Sequence, residues 1–185
     1  MAVHGYVRVI PTTVSQTGTS SSIGANGKVH FSSVSALNIN GVFSIEYDNY
    51  LIVTQYKGSG SLSLTMQLRA SGTPANTDYV FQSLIADNIT LTAARSTSQT
   101  SMAVNTIAGT LTCSSILYVY RPYTTFSTGF RISSLSDVSS ATQYDYSGSH
   151  GNANSTNAAN LYDGFNLNTS TGSITGSLTI YGAKK

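Results

Sequence analysis

Between Asp48 and Ala70 the chain reads DNYLIVTQYKGSGSLSLTMQLRA, and its second half alternates strictly. Leu62, Leu64, Met66 and Leu68 fall on one side, with Ser61, Ser63, Thr65, Gln67 and Arg69 on the other. Successive side chains of an extended chain point to opposite faces, so this is a strand with one dry face. Tyr50 to Tyr56 is rich in β-branched and aromatic residues, and Lys57-Gly58-Ser59-Gly60 supplies the glycines a short reversal needs. The two halves are expected to pair as a β-hairpin. A hairpin alone is marginal in water, so its apolar face calls for a second sheet from the rest of the chain.

A chain of 185 residues has room for one domain with a real core. Only 9% of it is charged, and Ser, Thr, Asn and Gly stand where a helical protein would carry Lys and Glu. An all-β fold follows. The nine basic and seven acidic residues are scattered, too diffuse to track phosphates, so nucleic acid is not an expected partner. No window approaches the roughly 18 to 20 apolar residues of a membrane span, and no membrane partner is expected. MAVHGYVRVIP carries His4 and Arg8 inside its apolar segment and does not read as a signal peptide, so a soluble protein made in a cytoplasm is expected. The lone Cys113 reads as a small core residue. So few charges defend the surface only weakly against association, which favours a member of a permanent assembly over a free enzyme.

Taken in order, residues 1–27 read as an arm outside the core. Pro11 interrupts an extended segment, and TTVSQTGTSSSIGAN has linker composition. Tyr6, Val7, Val9 and Ile10 make the arm too apolar for a purely solvated tail, leaving a frayed terminus and a tether on a neighbouring subunit as alternatives, and with Arg8 they are the candidate contact residues. Residues 28–185 form the body. Lys28 to Val34 is its first strand, with Val29, Phe31 and Ser33 on one face, and Asn40-Gly41 marks a turn. The loop around Pro74 follows Ala70. LTCSSILYVY is apolar at nearly every position of its second half, as a strand covered on both faces would be. Asp137 to Asn160 is expected to be a long surface loop, or a short helix near Asn157 to Leu161. Phe165 and Leu167, then Ile174, Leu178 and Ile180, point inward from the last strands. About eight strands with regular turn signals select an antiparallel two-sheet sandwich, jelly-roll-like, ahead of an immunoglobulin-like one that lacks its Cys and Trp landmarks.

No chemical site emerges. His4, His30 and His150 have no second His or Cys at ligand spacing, and the Asp145 to Asp163 region matches no calcium loop. Nucleophile-elbow and phosphate-loop patterns are absent, and neither a catalytic residue nor a cofactor is expected. Twelve tyrosines are present, and Tyr123, Tyr144, Tyr146 and Tyr162 fall in or near loop segments. There they would stack on sugars, bury into a subunit interface, or sit half-buried at sheet edges. Pro74, Tyr144, Tyr146 and His150 are the candidate surface-recognition residues.

ALNINGVFSIEYDNYLIV, MQLRASGTPANTDYVFQ and GSLTIYGAKK together resemble a group of small β-sandwich proteins and domains of tailed bacteriophages. The matching positions are Asn40, Gly41, Tyr47, Asp48, Asn49, Tyr50, Arg69, Gly72, Tyr79, Tyr181 and Gly182, over about residues 28–185. The resemblance implies a non-enzymatic virion part, commonly trimeric, that is either a capsid decoration protein or a tail-fibre domain. The short arm points to decoration of the outer head surface. The major capsid protein would then be the partner, and residues 6–10 the contact. The alternative is a tail-fibre or receptor-binding domain that recognises a host surface glycan.

Overall fold

The computed structural model describes residues 5–87, 90–136, 142–151 and 161–184. Its strands are β1 (Tyr6–Val9), β2 (Thr13–Ile23), β3 (Val29–Asn40), β4 (Tyr47–Gly58), β5 (Leu62–Ala70), β6 (Thr73–Pro74) and β7 (Tyr79–Asp87). They continue as β8 (Thr90–Gln99), β9 (Met102–Ile107), β10 (Thr112–Tyr120), β11 (Thr128–Ser136), β12 (Thr142–His150), β13 (Gly164–Thr169) and β14 (Ile174–Lys184). No described residue is helical. The expected all-β, antiparallel class is present.

The strands join in one continuous sheet, not in two separate ones. Its order is β6-β5-β13-β3-β14-β4-β10-β11-β12-β7-β8, with β1 on β14, β2 on β3 and β9 on β5. Continuity comes from β3, whose first half pairs with β14 and whose second half pairs with β13. Between the halves Ser33 takes a φ of 48°, and the facing strand slips register between Thr17 and Gly18. This bulge re-aims the strand, so Val34 rather than the expected Ser33 joins Val29 and Phe31 in the core. The sheet curls until β9 packs across β7, β10, β11 and β12. Ile52, Leu117, Ile132 and Ile180 then share one buried cluster with Leu37, Leu64, Met66 and Leu167.

The hairpin expected from Asp48 to Ala70 does not form. Both halves are strands, but β4 lies between β14 and β10, and β5 lies between β13 and β9. The glycine link is a corner, tied down where Ser59 N donates to Ser173 O and Ser173 N donates to Ser59 Oγ, both at 2.9 Å. The inner row of β5 is fully apolar and that of β4 is interrupted by the polar Thr54, and both edges of each strand are occupied by partners distant in sequence, which leaves no edge for local pairing.

Nor do the described residues of the expected arm stand detached. β2 pairs with β3 along its length, and β1 pairs with β14 from Tyr6↔Ala183 to Val9↔Ile180. Val9, Val14 and Ile23 pack on the core. The Ser/Thr composition that reads as linker belongs to an edge strand whose exposed face is polar. Likewise, part of the supposed long loop is β12, paired on both sides with β11 and β7. Most of the possible helix near Asn157 to Leu161 lies outside the described residues.

Several of the positions quoted for the resemblance have structural roles in this fold. Arg69 donates to Asn38 Oδ1 at 2.9 Å and Asn40 Oδ1 at 3.1 Å, and reaches the carbonyl of Gly72, which turns with a φ of 82°. The Tyr79 hydroxyl accepts from Leu68 N at 2.8 Å, and the Tyr50 hydroxyl accepts from Ser44 N at 2.7 Å. A side chain at Gly182 would strike the Tyr47 ring.

Candidate interaction surface

β10 carries more apolar residues than one face can bury. Cys113, Ser115, Leu117 and Val119 point into the core, as expected for Cys113. Ile116, Tyr118 and Tyr120 occupy the opposite face, where Ile116 remains 42% exposed. The strand is therefore covered on one face, and its surplus apolar residues mark an open outer surface.

Pairing register extends that surface over several strands. Ile116 stands opposite Val53 of β4, itself 40% exposed, and Leu135 of β11 faces Ser114. Along the next row, Arg8, Tyr181, Leu51, Tyr118 and Arg131 follow one another from β1 to β11. Tyr118 and Tyr120 stack with ring planes 9° apart, and the Arg8 guanidinium lies 5.6 Å from the centre of the Tyr181 ring. Partial burial, then the neighbouring Tyr118 and Tyr120, raise the Tyr6 phenol above its ordinary pKa. Tyr6, Tyr118, Tyr120 and Tyr181 thus form one outward aromatic patch beside an aliphatic strip. Rigid aromatic groups with a polar tip dominate many interface centres.

Of the five residues expected as a contact arm, Tyr6 and Arg8 belong to this patch. Val9 turns inward on the core, while Val7 and Ile10 are exposed. The candidate recognition residues are not brought together in loops. Tyr144 and Tyr146 stand on the inner face of β12, stacked 5° from parallel, with Tyr146 buried and Tyr144 half-buried. Burial pushes the Tyr146 phenol up to about 12. His150 is buried too, its Nε2 2.7 Å from the Tyr162 hydroxyl and its ring centre 4.2 Å from that of Tyr79. The cause is the partnership of β12 with β7 and β11, which places alternate side chains under the curl. Pro74 alone is exposed, at the rim of a cavity of about 320 Å³ whose wall includes Tyr162.

Tyr118 and Tyr120 escaped the sequence reading because they lie in a strand rather than in loops. The unbroken apolar run of β10 was their available signal, and it pointed to double burial. Among the described residues, no group of three His, Cys, Asp or Glu side chains is placed to hold a metal.

No protein-family model matches the chain, and no curated protein sequence matches it. Among solved structures, the binding domain of botulinum neurotoxin serotype G is similar at 11% identity and a TM-score of 0.26. That likeness covers all of this chain, which spans 45% of the length of the other.

Proposed function

We propose that this chain is a non-enzymatic structural protein of a tailed-bacteriophage virion, a decoration protein that docks on the outer head surface through the tyrosine-rich outer face of its sheet. The observation carrying this reading is the open patch of Tyr6, Tyr118, Tyr120 and Tyr181 beside Val53 and Ile116. A soluble single chain rarely leaves such an apolar surface bare unless something docks there. The sequence resemblance supplies the phage setting, the major capsid protein as partner and the trimer as assembly. The docking element is the sheet face, because the first strands are committed to intramolecular pairing.

Immunogold labelling of intact virions tests the location, and a signal confined to the tail would remove the decoration reading. Pull-down on undecorated heads tests the face. Ile116→Ser with Tyr118→Ser is expected to cut retention by about 30-fold or more, as loss of a hot spot does. Full retention by a folded double variant would reject this surface.

A further inference from the structure

Two arginines differ from the rest. Arg8 donates to Asn26 O at 2.8 Å, Arg69 is held by Asn38 and Asn40, and Arg121 lies 6.0 Å from the centre of the Phe126 ring. Arg95 and Arg131 have no hydrogen-bond or ion-pair partner among the described residues, yet both are exposed and both line the same groove. In a chain with nine basic residues, two unengaged guanidinium groups in one depression of about 750 Å³ need a purpose. The volume lies within the roughly 300–1,000 Å³ of ordinary ligand sites.

Register shows how the groove is built. Arg131, Ser147, Gln82 and Arg95 stand opposite one another across β11, β12, β7 and β8. In the adjoining row, Asp145, Leu84 and Ala93 face the same side. Three inter-strand steps of about 4.8 Å separate the two arginine positions by about 14 Å. One Asp145 oxygen accepts from Gln143 Nε2 at 2.8 Å, leaving the other open to the groove.

We propose that this groove binds an acidic oligosaccharide lying across the four strands. Carboxylates of separate sugar rings pair with Arg95 and Arg131 through the planar guanidinium fork. Ser147, Gln82 and the free oxygen of Asp145 take the hydroxyl groups, while Leu84 and Ala93 offer a small apolar floor. The central Asp145 carboxylate opposes a densely charged phosphate chain. A peptide would add along a free strand edge to gain backbone pairing, whereas this groove crosses strands on a sheet face. The groove adjoins the tyrosine patch, since Arg131 stands opposite Tyr118 in the same row, and the proposal does not depend on where in a virion the protein resides.

Titration calorimetry on the full chain at low salt tests it, with trigalacturonate, galacturonate, maltotriose and a hexaglutamate peptide as probes. Trigalacturonate is expected to saturate one site at least about tenfold more tightly than the monomer, through two-point attachment, and to weaken as salt is added. Arg95→Gln and Arg131→Gln should each lose about tenfold, as expected for one charge-assisted pair, with Lys57→Gln unchanged and all three variants melting like the parent. Absence of saturable trigalacturonate binding, equal binding of maltotriose, or unaltered affinity in both arginine variants would overturn the proposal. Hexaglutamate binding as tightly as trigalacturonate would overturn it in favour of a peptide ligand.

Discussion

Acidification should loosen this fold through His150. The side chain is 1% exposed, wedged between Tyr79 and Tyr162, and burial pushes its pKa from 6.5 down to about 4 against the opposing pull of Asp78 and the Thr77 backbone. In the unfolded chain the imidazole keeps its ordinary value. Between these two pKa values the unfolded state binds a proton that the native state refuses, so stability rises with pH across the window. The contribution is complete above pH 6.5 and falls by about 3 kcal/mol on reaching pH 4, at about 1.4 kcal/mol per pH unit. For a chain of this size that amounts to a drop in Tm of about 6–12 °C. Urea unfolding followed by tyrosine fluorescence, at a series of pH values from about 7 to about 4, measures it. Carboxylates titrate in the same region, so the diagnostic quantity is the difference from His150→Gln, whose amide does not titrate. Parallel stability curves for parent and variant would refute the reasoning.

Tyr56→Phe should cost about 2 kcal/mol in denaturant unfolding, because the buried hydroxyl accepts from Asn105 Nδ2 at 3.0 Å and lies 2.9 Å from Ser115 Oγ; an unchanged midpoint would show that the surroundings repair the loss. Asn105 Oδ1 already lacks a partner among the described residues, so the amide would be left without any. Removal of residues 1–27 should lower Tm by more than about 10 °C, since it strips β1 and β2 from β14 and β3; a truncated chain that melts normally would mean these strands add nothing.

Local alternation was legible in the sequence, and long-range pairing was not. Leu62, Leu64, Met66 and Leu68 bury together as their spacing required, and so do Ile174, Leu178 and Ile180. The alternation of β4 and β5 fixes which side is dry but says nothing about which edge meets which neighbour, and so a corner was read as a hairpin. β2 was missed for a related reason: an edge strand with a solvated outer face needs few apolar residues, and Val14 and Ile23 suffice. At the interaction surface, Arg95 and Arg131 are 36 positions apart with ordinary neighbours, and only register across β12 and β7 brings them to one groove. His150 looked like a loop residue because Ser, Gly and Asp surround it, yet those small residues are what allow close packing there, as where Gly148 lies against Val80 and Phe81.

The placement of β14 between β3 and β4 also sets a schedule for synthesis. Thr54 donates to Ser177 O, a partner 123 residues further along the chain. At ribosomal speeds of roughly 5–20 residues per second, β4 waits on the order of ten seconds with at least one bare edge before that neighbour emerges. Nascent chains are therefore open to mispairing throughout that interval, and premature termination anywhere before β14 leaves a sheet that cannot seal. Yield of the intact protein should consequently respond more to translation rate and to chaperone supply than its modest size would suggest.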